Sequence, residues 1–171
     1  ASNIVKERKK KPISTIPDLI NIIEKSKKKD FKKKINISTK TFQAIRIFVN
    51  REFSELIEGL INATQLIKAG GKVIVINFHS IEDKIVKFFF TNYAKNQSRT
   101  SRYYPELSKG KFLFENYKNT IIRPSQKELD INNPSRSAKL RYATRSENDF
   151  FYPSDFKKKF THYLDLENRN D

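Results

Sequence analysis

The sequence predicts an α/β fold in which a long helix delivers a strand into a parallel sheet. Three observations predict it. Apolar residues recur every three or four positions across residues 40–68 (Phe42, Ile45, Val49, Phe53, Leu56, Leu60, Ala63 and Ile67), the mark of one buried helical stripe. Ala69-Gly70-Gly71 ends that pattern, with glycine supplying the left-handed residue that closes a helix. Val73-Ile74-Val75-Ile76 follows at once, a β-branched run without alternation, which predicts a strand covered on both faces. Helix, glycine pair and buried strand in that order is the pattern of parallel α/β sheets.

The other elements follow in chain order. Residues 1–11 are basic and read as the end of a helix; an opening at Ala1 in charged, helix-forming sequence is expected to continue something longer. Ser14 or Thr15 is placed to cap a second helix, with Pro17 and Asp18 in its first turn and Leu19, Ile20, Ile22 and Ile23 as its apolar face. Residues 25–34 form a lysine-rich connector, read as a solvated surface with a specific RNA site as the alternative. The 40–68 stripe fits one long helix or a pair broken near Asn50.

After the strand, a new helix is expected from about Ile81 to Asn92. Residues 93–118, polar and aromatic, are expected to form a loop with a short strand near 111–114. A short strand is expected at 119–123, and a last one at 139–145 antiparallel to it. Between them Ser125 and Glu128 have capping-box spacing and open a short helix that Asn133-Pro134 ends. In the charged tail, Phe150, Phe151, Tyr152, Phe156 and Phe160 are expected to dock a final helix.

The 171 residues suit one domain. With 37% hydrophobic and 12% aromatic residues a real core is available, which argues against wholesale disorder. The 35 Lys and Arg against 19 Asp and Glu give a net charge of +16, which favours a polyanionic partner, nucleic acid first. A compositional skew that raises Lys, Asn, Ile and Phe together is the alternative source of that charge. The absence of cysteine excludes disulfides and thiolate metal sites and permits a reducing, cytoplasmic compartment. No apolar run approaches the roughly 18–20 residues of a membrane span, and no signal peptide is visible. No metal is expected.

Ligands in open α/β sheets sit beyond the carboxyl ends of strands, so residues 77–83 are where chemistry is expected. Asn77, His79, Ser80, Glu82 and Asp83 offer hydrogen-bond acceptors there, and His79, one of two histidines, can titrate near neutral pH. One reading makes His79 a base or an orienting acceptor. The other has His79 and Ser80 merely cap the next helix, with Glu82 and Asp83 favouring its N-terminus. Arg46, set among apolar positions, is either an ion-pair member with Glu52 or Glu82, or a phosphate or base contact; Asn50 is placed to line a pocket. Arg136, Ser137, Lys139 and Arg141 form a basic patch. With Lys84, Lys87, Arg99, Arg102 and nearby tyrosines it suits RNA phosphates and unpaired bases, although a solvated basic strand is the plain alternative.

Three blocks carry a closer resemblance: TFQAIRIFVNRE at residues 41–52, GGKVIVINFHSIEDKIVK at 70–87 and NPSRSAKLR at 133–141. In sequence, order and spacing they resemble the MraW (RsmH) family of bacterial ribosomal-RNA methyltransferases, over about residues 3–146. The resemblance implies a partial Rossmann-like class I methyltransferase, with the later sheet strands and a C-terminal antiparallel hairpin, and the end of a helical insertion domain. Residues 1–38 would belong to that insertion, 39–146 to the methyltransferase domain and 147–171 to a divergent tail.

The implied activity is methylation of N4 of a cytidine in 16S rRNA, in the decoding region of the small ribosomal subunit, with S-adenosylmethionine (SAM) as cofactor. Asn77, His79, Ser80 and Asn50 are the candidate catalytic residues, and Arg46, Lys84, Arg136, Ser137, Lys139 and Arg141 the candidate RNA contacts. The family usually has Ser at the position of Asn77. Its glycine-rich SAM loop, an acidic ribose-binding residue and a D-x-G-x-S-S segment belong to the family's N-terminal half. This chain has no G-x-G, so no cofactor-binding residue is assigned. The chain alone is expected not to methylate, and an open edge beside residues 72–77 is expected to leave it marginally stable. A non-enzymatic, basic RNA-binding module is the alternative class; it explains the charge but not the 77–83 cluster.

Overall fold

The computed structural model describes residues 1–26, 38–95 and 111–168; Arg99, Arg102 and most of the lysine-rich connector lie outside them. The chain divides into two units, Ala1–Glu52 and Phe53–Asp171.

The first unit holds α1 (Ser2–Lys10), α2 (Ile16–Ser26) and α3 (Thr39–Asn50). Thr15 caps α2, its hydroxyl accepting the Asp18 N–H at 3.3 Å. Asn3 donates to Ser26 at 3.0 Å and ties α1 to the end of α2. Arg51, at φ 51°, adopts the left-handed conformation, and its N–H turns back to the carbonyls of Ile47 and Phe48. A left-handed L-residue cannot continue a right-handed helix, so the 40–68 pattern is a broken pair.

Past that break, α4 (Glu52–Leu66) carries the chain into the second unit. Its buried stripe is Phe53, Ile57, Leu60, Ile61 and Thr64. Phe53 and Leu60 are buried as expected, but Leu56 is half-buried, Ala63 is exposed, and Ile45 and Val49 on α3 are exposed; Ile57, Ile61 and Thr64 complete the buried face instead. With the buried face of α4 running through these residues, the spacing through Leu56 and Ala63 drifts to its edge. The helix ends at Leu66, short of the glycines expected to close it; Gly70, at φ 79°, instead supplies the left-handed residue of the Lys68–Gly71 turn that leads into β1.

The remaining elements are β1 (Lys72–Asn77), α5 (Ser80–Asn92), α6 (Gln126–Ile131), a 3-10 turn (Asn133–Ser137), β2 (Lys139–Thr144) and α7 (Ser154–Glu167). β1 pairs antiparallel with β2, from Lys72 opposite Thr144 to Asn77 opposite Lys139. Ile122 bridges antiparallel to Leu140 on the other side of β2. Here the structure corrects three expectations. β1, expected in a parallel sheet, has antiparallel β2 as its ladder partner among the described residues. The hairpin partner of β2 at 119–123 shrinks to that single bridge, with Asn119 in the left-handed region at φ 53° interrupting extension. β1 is covered on one face only: Val73 and Asn77 are buried, while Ile74 and Ile76 are 59% and 58% exposed. The helix α5 packs on the buried face, and among the described residues no strand pairs with the outer edge of β1. Because β1 and the Ile122 segment both run antiparallel to β2, they run parallel to each other.

The core of this unit is aromatic. Phe89 and Phe90 of α5 meet Phe114, and Phe89 meets Phe156 of α7 at 4.5 Å between ring centroids. Arg145, just past β2, is buried, and among the described residues no carboxylate pairs with it. Its guanidinium makes five hydrogen bonds, Nε to the Thr64 carbonyl, Nη1 to the Leu113 and Ser146 carbonyls and the Ser146 hydroxyl, and Nη2 to the Asn148 carbonyl, at 2.8–3.2 Å.

Candidate active site at the end of the first strand

Asn77 ends β1 in the same phase as Val73, which turns its side chain inward, where it is 2% exposed. Neither its Nδ2 nor its Oδ1 has a hydrogen-bond partner among the described residues. Buried polar groups are nearly always paired, and an unpaired amide costs about 1–3 kcal/mol. That cost makes Asn77 a candidate functional side chain.

Next in the chain, His79 has the extended backbone of a helix cap and starts α5 through a capping box. Its Nδ1 accepts the Glu82 N–H at 3.4 Å, and the Glu82 carboxylate accepts the N–H groups of Phe78 and His79 at 3.0 and 3.2 Å. The capping alternative is thus what the local geometry builds. It has a chemical corollary: an Nδ1 that accepts is unprotonated, so the neutral ring carries its proton on Nε2. That Nε2 lies 3.2 Å from Glu82 Oε1, yet it is buried and makes no hydrogen bond among the described residues. Phe53 of α4 meets the imidazole edge-on, 5.9 Å between centroids. Ser80, the first residue of α5, is exposed.

One turn into α5, Asp83 gathers two of the expected RNA contacts. Arg141 binds it at two points, Nε to Oδ1 at 2.7 Å and Nη2 to Oδ2 at 3.3 Å, and Lys139 reaches Oδ2 at 3.1 Å. The remaining Arg141 nitrogen donates to Tyr117 and Asn119 at 3.0 and 2.8 Å. Burial pushes the Asp83 carboxyl up, but the hydrogen bonds and charges of Arg141 and Lys139 outweigh it and hold it below the ordinary carboxylate value. Burial likewise raises the Tyr117 phenol, against the opposing hydrogen bond from Arg141. Arg141 is 2% exposed, so in this fold its guanidinium serves the junction of α5 and β2. Lys84, Lys87, Arg136 and Ser137 are exposed.

Arg46 and Asn50 belong to the first unit. Arg46 makes a two-point pair with Glu52, 2.7 and 3.0 Å, and Asn50 donates to the same carboxylate at 3.4 Å. The pair joins the exposed Arg46 of α3 to the half-buried Glu52 across the Arg51 break, and Arg46 helps to line an open groove of about 820 Å³ with Phe42, Val49 and Asn50.

A SAM cradle needs backbone approach at a glycine-rich turn beyond the carboxyl end of a strand. The described glycines do not fit it: Gly59 lies within α4, and Gly70 and Gly71 precede β1 at its amino end.

Sequence reasoning missed the Asp83–Arg141 pair, the buried Arg145 and the role of Glu167 described below. One signal was available. Lys139, Arg141, Ala143 and Arg145 share one phase of the last strand, and Leu140 and Tyr142 the other. An acidic residue in the first turn of the helix after β1 is the natural partner for that basic phase.

The family model of the MraW methylase family matches residues 1–146. A ribosomal RNA small subunit methyltransferase H from Agrobacterium fabrum is 39% identical over 146 residues, 85% of this chain and 42% of that protein. Proteins of the same name from Rhizobium leguminosarum bv. trifolii and Ehrlichia chaffeensis are 41% and 42% identical, over 86% and 82% of this chain and 43% and 44% of their own length. The chain therefore spans less than half the length of the curated relatives it matches. With the matched range taking in both units up to the end of the β2 ladder, the chain belongs to the MraW methylase family.

Proposed function

We propose that this chain forms the base-handling part of a SAM-dependent methyltransferase acting on N4 of a cytidine in 16S rRNA, in the decoding region of the small subunit. The relatives' names give small-subunit ribosomal RNA as the object of methylation for those proteins; the cytidine, its N4 atom and the cofactor come from the family resemblance. The observation that carries the reading is the unpaired, buried amide of Asn77 at the end of β1. A carboxamide presents an acceptor and a donor side by side. Cytosine presents an N4–H donor beside the N3 acceptor, so the two match at two points.

The N4 amine is a weak nucleophile because its lone pair is delocalised into the ring. Asn77 Oδ1 accepts one N4 hydrogen and fixes the amine in line for transfer. His79, with Nδ1 committed to the helix cap, acts as an Nε2–H donor to an oxygen of the base; the N4 proton, made acidic once the methyl has arrived, is lost to water. Ser80 is the further polar group of this unit, and Asn50, in the first unit, is kept as a separate candidate. The base has to leave its stack to reach them. Lys84, Arg136, Ser137 and Arg46 hold phosphates; Lys139 and Arg141 act chiefly through Asp83. The methyl donor is assigned to the part of the relatives for which this chain has no counterpart, and no step through it is placed on these residues. The setting is cytoplasmic.

Calorimetric titration of SAM into the 171-residue chain is expected to show no micromolar binding; such binding would overturn the assignment of the cofactor elsewhere. Mixing the chain with the remaining segment of the Agrobacterium fabrum relative, small subunits and labelled SAM tests the rest. Labelled N4-methylcytidine is expected, falling about 100-fold with Asn77→Ala. Label on another atom, or an unaffected Asn77→Ala variant, would refute the base-handling role.

A further inference from the structure

The family match ends at residue 146, yet α7 beyond it is built into the second unit. Phe156 and Phe160 pack on Phe88 of α5, the helix that His79 caps. Lys157 pairs with Glu58 of α4. The last residue of α7, Glu167, is buried, and its carboxylate accepts the N–H groups of Phe53 and Ser54, each at 2.9 Å, and the Ser54 hydroxyl at 2.6 Å. A carboxylate at that place also suits the positive end of the α4 dipole. One turn earlier, the Tyr163 ring lies 5.2 Å from the ring of Phe53, and Phe53 lies edge-on to His79.

These contacts form one line. Glu167 fixes the backbone of Phe53, Tyr163 fixes its ring, and that ring is a wall of the imidazole. Among the described residues the one hydrogen bond to the ring, at Nδ1, is 3.4 Å long and beyond the usual range, and Nε2 lies 3.2 Å from Glu82 Oε1 without forming one, so polar contacts alone do not hold the ring orientation. We infer that α7 is a strap that sets the orientation of the His79 imidazole, with Glu167 and Tyr163 as positioning residues. Its consequence for methyl transfer rests on the role given to His79 above; the orientation itself does not.

The test is NMR of the histidine-labelled 171-residue chain, reading the His79 ring-proton shifts, which feel the Phe53 ring, and the ring-nitrogen shifts, which report the tautomer. Glu167→Gln keeps the shape but offers one acceptor oxygen in place of two. Tyr163→Leu removes the second ring. Both are expected to move the His79 signals toward those of free histidine, while Phe156→Leu, which loosens α7 against α5 without touching Phe53, lowers Tm and leaves them in place. Unmoved signals in the first two variants, or an equal shift in Phe156→Leu, would make α7 a purely structural helix and end the proposal. In the complemented enzyme the two positioning variants are expected to lower kcat and leave KM unchanged. Shifted NMR signals with full activity would uphold the strap and remove His79 from the proposed mechanism.

Discussion

The Asp83 carboxylate grips Arg141 at two points, 2.7 and 3.3 Å, and so joins the first turn of α5 to the middle of β2. Removing one partner of a buried pair strands the other charge. Asp83→Asn is expected to cost about 3 kcal/mol at pH 7, read from urea unfolding. The pH dependence has a definite sign. The Asp83 carboxyl is held below its ordinary value in the fold, so its stabilisation is complete above the unfolded-state value of about 3.9 and is lost as pH falls through the folded one. The gap between the parent chain and Asp83→Asn should close below about pH 4. A gap that persists unchanged at pH 2 would contradict this account.

Arg145 presents a different case, a buried guanidinium satisfied by backbone carbonyls of α4, the 113–115 segment and the start of the tail. Arg145→Met keeps the length and leaves four carbonyls short of a donor, at a cost of about 2–4 kcal/mol. Arg145→Lys should fall between, since an ammonium reaches only some of the same acceptors. Denaturant midpoints rank the three chains; an unchanged midpoint for the methionine variant would dismiss the network as incidental.

The two glycines before β1 are not equivalent. Gly70 sits at φ 79° with open space around a Cβ, so Gly70→Ala should cost about 1 kcal/mol of backbone strain. A Cβ on Gly71 would stand 2.5 Å from Ile67 Cγ1 and 2.9 Å from the Lys68 carbonyl oxygen. Gly71→Ala should therefore lower Tm more than Gly70→Ala does, and the reverse order would count against the packing described for this turn.

Binding of single-stranded RNA should weaken linearly with the logarithm of salt concentration. Lys84→Ala and Arg136→Ala should each reduce the slope by about one. Fluorescence anisotropy at several salt concentrations reads this directly. Slopes untouched by both substitutions would place the phosphate path elsewhere.

Much of the fold was legible because local rules decided it. Thr15, His79 and Ser125 cap where the sequence places a cap, Gly70 supplies the left-handed turn residue before β1, and the aromatic tail docks through Phe156 and Phe160. Burial on β1 was not legible. Val73-Ile74-Val75-Ile76 states that both faces suit an apolar neighbour, but not whether the neighbour is in this chain. Arg141 misled for the opposite reason: a basic residue on a strand looks solvated until its carboxylate, 58 residues earlier, is brought beneath it. The site shared both properties. Asn77 and His79 were legible from their place after the strand, while the rings and the carboxylate that hold Phe53 come from a helix more than 70 residues further on, beyond the reach of any local pattern.

The uncovered side of β1 has a practical corollary for anyone handling the protein. Ile74, Ile76 and Tyr142 make a greasy stripe beside backbone groups that face no neighbouring strand among the described residues. Such a border is a template for stacking against further copies. The surplus of positive charge is then a colloidal safeguard, keeping molecules apart by repulsion. Concentrated salt weakens that repulsion and strengthens apolar association, so the purified chain should precipitate as salt is raised, and nucleic-acid removal by high-salt washing should be the step at which it is lost.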